Sequence, residues 1–245
     1  MFLKRNTKQN LEVSTIDQLM LFGLTRQEAT IYCCLLQDGE QNGYEVAKQT
    51  GISRSNVYNA LAGLVEKGAA YLIEGNSVKY VAVPVAEFCD NKIRKCQEVK
   101  EELMQLLVPN KPTTEGYITI TGVSHIRDKL LQMMQQAEKR IYMSISSIYL
   151  EDWREELEQL GKNKIKVVVL TEQLVKMQNV KVYLSEKRDK QLRFIVDSKF
   201  VLTGDYSKSE KDTCLYSGQK NFVNVFKEAL RNEIKLIELK KQDNN

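Results

Sequence analysis

Histidine is nearly missing from this sequence of 245 residues: His125 is the single one. No cysteine lies near it in sequence, and zinc sites need about four ligands at characteristic spacings, so no metal centre is expected. Cysteines number five, Cys33, Cys34, Cys89, Cys96 and Cys214, an odd count with no CxxC pair. Reduced structural thiols are expected rather than a disulfide framework. Proline is sparse, with three residues, and two of them fall in one stretch, VPNKPTTEG, at 108–116. No apolar run approaches the roughly 18 residues needed to cross a bilayer. The opening MFLKRNTKQN lacks the apolar segment of a secretory signal. These absences predict a cytoplasmic protein without membrane association and without a cofactor.

An excess of one charge sign is also missing. Net charge is +4, and acidic residues nearly balance basic ones across residues 1–83. A nucleic-acid partner does not follow from charge alone, although a DNA-binding domain can carry its cations on one face. Hydrophobic residues make up 42% and charged residues 28%, which supports two cored domains, or one large one, with a soluble surface.

The organisation follows from periodicity. Residues 14–22 read as a short helix with Ser14 or Thr15 as N-cap, ended by Gly23. Thr25 and Glu28 then have capping-box spacing, and Ala29, Ile31, Tyr32, Leu35 and Leu36 fit one helical face. Helices are expected at 43–50 and 53–67, and a hairpin at 70–74 and 78–83 around Gly75-Asn76-Ser77. After Pro84, the residues Val85, Phe88, Cys89, Ile93, Cys96, Val99, Leu103, Leu106 and Leu107 recur at spacings of three and four. They predict one long helix over 85–108, either a coiled-coil seam or a helix packed on its own domain. From "YITI" onward, strands and helices alternate, with LEDWREELEQLGK (150–162) read as one helix and KIKVVVL (164–170) as a strand, and a run of short strands follows, which predicts an α/β unit with a mixed sheet and a last helix at 219–240.

The stretch YEVAKQTGISRSNVYNALAGLVEKGAAYLIEGNSVKYVAV, residues 44–83, carries the functional signal. A helix-turn-helix needs a small residue in its first helix, supplied by Ala47, and a residue tolerant of positive φ in the turn, supplied by Gly51. Val46, Ile52, Val57 and Leu61 would lock the helices together. Ser53 would cap the second helix. Val57, Ala60, Leu61 and Leu64 follow the i, i+3, i+4, i+7 rule and face the core. The opposite side carries Ser53, Arg54, Ser55, Asn56 and Asn59, with Tyr58 at the border between core and phosphate. Arg and Asn can read guanine and adenine bidentately from the N-terminal half of a helix in the major groove. Gly68 stands as a C′ glycine, and the hairpin after it is what a wing requires. Lys48, Lys79 and the 75–77 tip would contact the DNA backbone or minor groove. Arg26, Lys67 and the N-terminal Lys4, Arg5 and Lys8 would add to the same basic face. A helical pair with a merely solvated polar face, or a winged helix that docks on protein, are the competing readings.

The segments LFGLTRQEATIYCCLLQDG, EVAKQTGISRSNVYNALAGLVEKGAA and VKYVAVPVAEF resemble the N-terminal module of the TrmB family of transcriptional regulators over about residues 15–108. The resemblance implies a winged helix followed by a helix that forms a homodimer. TGVSHIRDKLLQMMQQAEKRIYMSIS and LRFIVDSKFVLTGD resemble the phospholipase-D-like domain attached to such regulators. A phospholipase-D-type site needs His-x-Lys-x-x-x-x-Asp. Here Asp197 matches, while Lys190 stands at the histidine position and Leu192 at the lysine position, so the nucleophile is missing. Asp197 is expected to be a turn residue. Sugar-sensing members of the family carry a further C-terminal β-rich part, for which no counterpart is seen, and a sugar ligand is not carried over.

The expected architecture is an α+β winged helix-turn-helix domain (1–84), a long dimerisation helix and linker (85–112), and an α/β, mixed-sheet, phospholipase-D-like sensing domain (113–245). The expected function is a non-enzymatic, sequence-specific transcriptional regulator that binds double-stranded DNA as a homodimer. Its C-terminal domain would sense a small-molecule effector whose identity is unknown. Trp153, Tyr142, Tyr149 and Tyr183 could line such a pocket, although aromatic residues are more often core. A protein-interaction module and a phosphodiesterase are the alternatives. Cys89 and Cys96, one heptad apart, raise the idea of a redox switch, with buried thiols the simpler reading.

Overall fold

A computed structural model of the chain describes residues 15–75, 77–107, 116–186 and 189–243. Ser14, Lys4, Arg5, Lys8, Asn76 of the hairpin tip and 108–115 of the expected linker lie outside the described residues. The contacts divide the chain into two units, Met1–Asn110 and Lys111–Asn245.

The first unit begins with helix α1 (15–21), followed by α2 (Arg26–Asp38), α3 (Gly43–Thr50) and α4 (Arg54–Glu66). Strands β1 (Ala70–Ile73) and β2 (Lys79–Ala82) form an antiparallel hairpin with Ala70 opposite Ala82, and α5 (Val85–Leu106) leaves it after Pro84. The α2 capping box is made as its spacing requires: the Glu28 N–H donates to Thr25 Oγ1 at 3.3 Å and the Thr25 N–H to Glu28 Oε2 at 2.7 Å. A second box opens α3, where Asn42 Oδ1 accepts from the Tyr44 and Glu45 N–H groups and Glu45 Oε2 accepts from the Asn42 N–H. Gln41 and Tyr80 exchange both backbone hydrogen bonds, which attaches the segment before α3 to the wing.

Ala29, Ile31, Tyr32 and Leu35 are buried as the α2 face predicts, whereas Leu36 is exposed. The buried apolar stripe, which faces α3, α4 and β2, is thus narrower by one position. The Tyr32 hydroxyl donates to the Val83 carbonyl at 2.7 Å, and its ring lies 5.6 Å from that of Phe88. These contacts fix the first turn of α5. Beyond it the helix leaves the core: Phe88 is its one buried residue, and Ile93, Cys96, Val99, Leu103 and Leu106 are exposed. The simple reading of Cys89 and Cys96 as buried thiols is corrected, since Cys89 is half-buried and Cys96 exposed.

The sequence did not announce the second role of Glu28. The carboxylate oxygen that caps α2 also accepts the Lys67 ammonium at 2.6 Å, from just past α4, and Glu28 is 6% exposed. Gly63 makes the room: a Cβ there would overlap the carboxylate.

The second unit is built on a seven-stranded sheet in the order β3-β9-β8-β7-β4-β5-β6. Its strands are β3 (Ile118–Thr121), β4 (Arg140–Ser144), β5 (Lys166–Thr171), β6 (Val180–Leu184), β7 (Gln191–Val196), β8 (Phe200–Asp205) and β9 (Thr213–Ser217). β4, β5 and β6 run parallel and the other pairs antiparallel, so the sheet is mixed as expected. Helices α6 (Val123–Gln135) and α8 (Arg154–Lys162) pack on one core cluster, with Val167, Val169 and Phe194 among its members. Helix α9 (Lys220–Asp243) packs on another, with Val168, Leu170 and Ile195. Burial on both faces explains the continuous apolar run of β5. The single helix expected over 150–162 is instead α7 (Ser147–Leu150), a 3₁₀ turn (Glu151–Trp153) and α8. The break lets Trp153 turn fully into the core beside Tyr206.

Burial by itself would raise the Glu28 pKa, but the Lys67 ammonium and the Thr25 groups hold it below the usual carboxylate value. A depressed carboxylate contributes stability that is present above its unfolded pKa and lost as pH falls through the folded one. Glu28→Gln is expected to lower stability near neutral pH by about 1–2 kcal/mol. Urea titrations repeated at successively lower pH should bring the two proteins together, because the advantage of the wild-type carboxylate is lost as pH falls through its folded pKa.

Candidate nucleic-acid interface

Helices α3 and α4 meet across a turn that the chain makes in the left-handed region at Gly51, with φ 70° and ψ 8°. Its N–H donates to the Ala47 carbonyl at 3.1 Å and closes α3. Val46, Val57 and Leu61 are fully buried and Ile52 packs against them, so the expected lock between the helices is formed. Val57, Ala60, Leu61 and Leu64 are the buried face of α4. Ser53, Arg54, Ser55, Asn56, Tyr58 and Asn59 are exposed, as is Lys48 on α3, while Lys79 at the start of β2 is half-buried.

One expectation about this face is corrected. Ser53 holds the N-cap position, but its side chain makes no cap hydrogen bond; its Oγ stands 3.5 Å from Ser55 Oγ. The first N–H groups of α4 are therefore not taken by that hydroxyl, and they carry the positive end of the helix dipole. Tyr58 is exposed at the border of the face. Its ring lies over Gly43, where a Cβ would come within 2.6 Å of Tyr58 Cε1. The expected cationic set also thins. Arg26 pairs with Asp17 at 2.7 Å, Lys67 with Glu28, and Lys79 loosely with Glu40 at 3.8 Å.

One neighbour was missed. The Arg54 guanidinium sits 4.6 Å from the centroid of the Tyr44 ring, a cation–π contact that holds it at the mouth of the α3–α4 turn. The signal is Tyr44 at the start of α3, which helical periodicity does not set apart from the rest of that helix. The exposed surface at the front of α4 thus offers hydrogen-bonding side chains, one aromatic-backed guanidinium and backbone N–H groups. That is the donor set used to meet phosphate and base edges.

In the second unit, the residues weighed for catalysis do other work. Lys190 pairs with Asp205 at 2.6 Å, and Leu192 is fully buried. Asp197 lies in a turn with Ser198, with φ of 51° and 56°. Its carboxylate accepts the N–H groups of Glu138, Lys139 and Arg140 at 2.8–2.9 Å. Burial raises its pKa, and those three bonds outweigh it and bring the value below the usual one. The four aromatic residues separate. Trp153 and Tyr149 pack around Tyr206, whereas Tyr142 and Tyr183 line a cavity under α9.

Gly51→Ala forces a side chain into the left-handed region and is expected to cost about 1–2 kcal/mol. The urea midpoint should fall, while the far-ultraviolet circular dichroism of the folded protein is kept.

Two family models match the chain. The one described as the sugar-specific transcriptional regulator TrmB covers residues 19–86, and the N-terminal subdomain of the TrmB EBD, the effector-binding domain, covers residues 116–233. YrhO of Bacillus subtilis (strain 168) is 31% identical over 166 residues, 65% of this chain and 59% of that protein. The HTH-type sugar sensing transcriptional regulator TrmBL1 of Pyrococcus furiosus is 26% identical over 168 residues, 66% of this chain and 48% of that protein. The aligned part thus spans about half of these curated relatives. The solved structure of TrmBL2, an archaeal chromatin protein, is 19% identical, covers 91% of this chain and 98% of its own, and has a TM-score of 0.41. With both of its units matched by models of one family, the chain belongs to the TrmB family of transcriptional regulators.

Proposed function

We propose that this protein is a sequence-specific DNA-binding transcriptional regulator that works as a homodimer. The observation that carries the reading is the division of α4. Its inner face is an unbroken apolar contact, and Ser53, Arg54, Ser55, Asn56, Tyr58 and Asn59 stand together in solvent at its front. Arg54 and Asn56 are the base-reading candidates, with Lys48, Lys79, Ser53, Ser55, Tyr58 and Asn59 as backbone-positioning partners. The regulators named among the relatives support the same reading.

The domain division that fits this function is a DNA-binding domain at 1–84, a dimerisation helix and linker at 85–112, and a sensing domain at 113–245. The exposed apolar positions of α5 recur at helical spacing, which suits a seam with a second copy. Two winged helices held so would address half-sites roughly 34 Å apart. The second unit is read as a non-catalytic effector domain of a cytoplasmic protein. The pairing of Lys190 with Asp205 and the occupation of Asp197 by backbone groups support a structural rather than a phosphodiesterase role. A winged helix that docks on protein would want an apolar outer face on α4, and the outer face is polar.

Selection of duplexes from a random pool, followed by fluorescence anisotropy, tests the reading. Arg54→Ala and Asn56→Ala should each weaken binding to the selected site by about 1–3 kcal/mol and relax preference at one base pair. Affinity should fall steeply with salt. Unchanged binding by both variants would overturn the face assignment. Val99→Lys with Leu103→Lys should convert a dimer to a monomer in sedimentation velocity while the melting of the winged helix is unchanged; a wild type that sediments as a monomer would remove the homodimer.

A further inference from the structure

A cavity of about 340 Å³ lies between α9 and the starts of β4, β5 and β6. That volume is in the range of small-molecule sites. Its floor is apolar and buried, formed by Val168, Ile195 and Leu230, with the Tyr142 and Tyr183 rings beside it. Its wall is cationic: Arg140, Lys166, Lys181, Lys227, Arg231 and Lys235 come to it from four separate elements. Among the described residues, Glu238 is the one acidic residue in the lining. It is engaged by the Tyr183 hydroxyl at 2.6 Å and the Lys181 ammonium at 3.3 Å. No ion pair with a described residue engages Arg140, Lys166, Lys227, Arg231 or Lys235.

This arrangement works against the empty protein. Lys227, Arg231 and Lys235 follow one another at i, i+4, i+8 on α9, a spacing at which like charges repel and weaken a helix. They face further cations presented by three strand starts. A merely solvated basic surface would have no reason to converge over an apolar hollow, because isolated cations gain by spreading apart. A compact multivalent anion placed in the hollow answers all of them. It would accept charge-assisted hydrogen bonds from guanidinium and ammonium groups, and an attached uncharged body would rest on the Tyr142 and Tyr183 rings. A DNA duplex does not suit the floor, which lies fully buried beneath α9.

We infer that the cavity under α9 binds a small phosphorylated ligand, with Arg140, Lys166, Lys227 and Arg231 on its phosphate. This rests on reading the second unit as an effector domain and names the chemical class of the effector.

The test is calorimetric titration of the full chain with inorganic pyrophosphate, with glucose 6-phosphate and with glucose. Both phosphate compounds should bind saturably at up to millimolar concentration and raise the melting temperature, while glucose does neither. Lys227→Gln with Arg231→Gln should weaken phosphate binding about tenfold or more. That variant should melt, without ligand, at the wild-type temperature or above it, since like charges have been removed. No saturable binding of either phosphate compound would overturn the inference, as would glucose binding as well as its phosphate, or full affinity in the double variant. If the double variant loses DNA affinity and the wild type takes up no small phosphate, the basic wall is a DNA contact and the inference also falls. Arg54→Ala with Asn56→Ala should bind phosphate as wild type does; that titration contains no DNA, so failure of the DNA-binding reading and failure of the phosphate site are told apart.

Discussion

One buried carboxylate organises the first unit. Glu28 takes the Thr25 N–H at the front of α2 and the Lys67 ammonium from just past α4, 39 residues away in sequence. An unpaired carboxylate there would be costly, since burial disfavours its charged form. Paired, it fixes the C-terminal end of α4 against α2. Gly63 would be a weak choice in a free helix, yet any larger residue would displace the carboxylate. One end of α4 is anchored by this ion pair and its inner face by Val57, Leu61 and Leu64, and at the front Arg54 and Tyr58 touch α3. Ser53, Asn56 and Asn59 can be polar and exposed because nothing in the fold requires otherwise.

The same economy governs the second unit. Its sheet is covered on both faces, so the strands spend their side chains on two cores, and polar groups collect at the strand ends and on α9. Val167 and Val169 serve one face and Val168 and Leu170 the other. At the start of the same strand Lys166 is exposed and reaches the cavity rim. The position of a charge is thus set by where the two cores stop.

Much of this was legible in the residues. Gly51 and Gly68 marked turns that only a left-handed conformation makes, with φ of 70° and 71°. The Thr25–Glu28 spacing announced a box, the VVV run a strand, and Asp197 a turn. The failures have a common cause. Local spacing made Ser53 look like a cap, but the cap depends on a side-chain rotamer, and the hydroxyl sits by Ser55 instead. Helical periodicity ran through 150–162, yet Trp153 needed a break in the helix to reach Tyr206. The Glu28–Lys67 pair and the gathering of Arg140, Lys166, Lys181 and Arg231 join residues distant in the chain. No periodicity reports such contacts. They appear only once the packing of the helices and the strand order are known.

Asp197 shows how a motif position can keep its residue and change its work. In the pattern His-x-Lys-x-x-x-x-Asp an aspartate stands at this place, and here the first two positions are Lys190 and Leu192. Leu192 is sealed in the core, so no cation can stand there to hold a phosphate beside the strand. The carboxylate that remains binds three successive N–H groups where β4 begins, and the Asp197 N–H in turn donates to the Arg140 carbonyl at 2.9 Å. This four-bond clamp sets the backbone of Arg140, and Ser198, the next residue of the turn, lies on the cavity wall beside it. The clamp therefore shapes one end of the basic hollow under α9, so that a position associated with phosphate chemistry in the motif comes to serve phosphate recognition at the opposite end of β7.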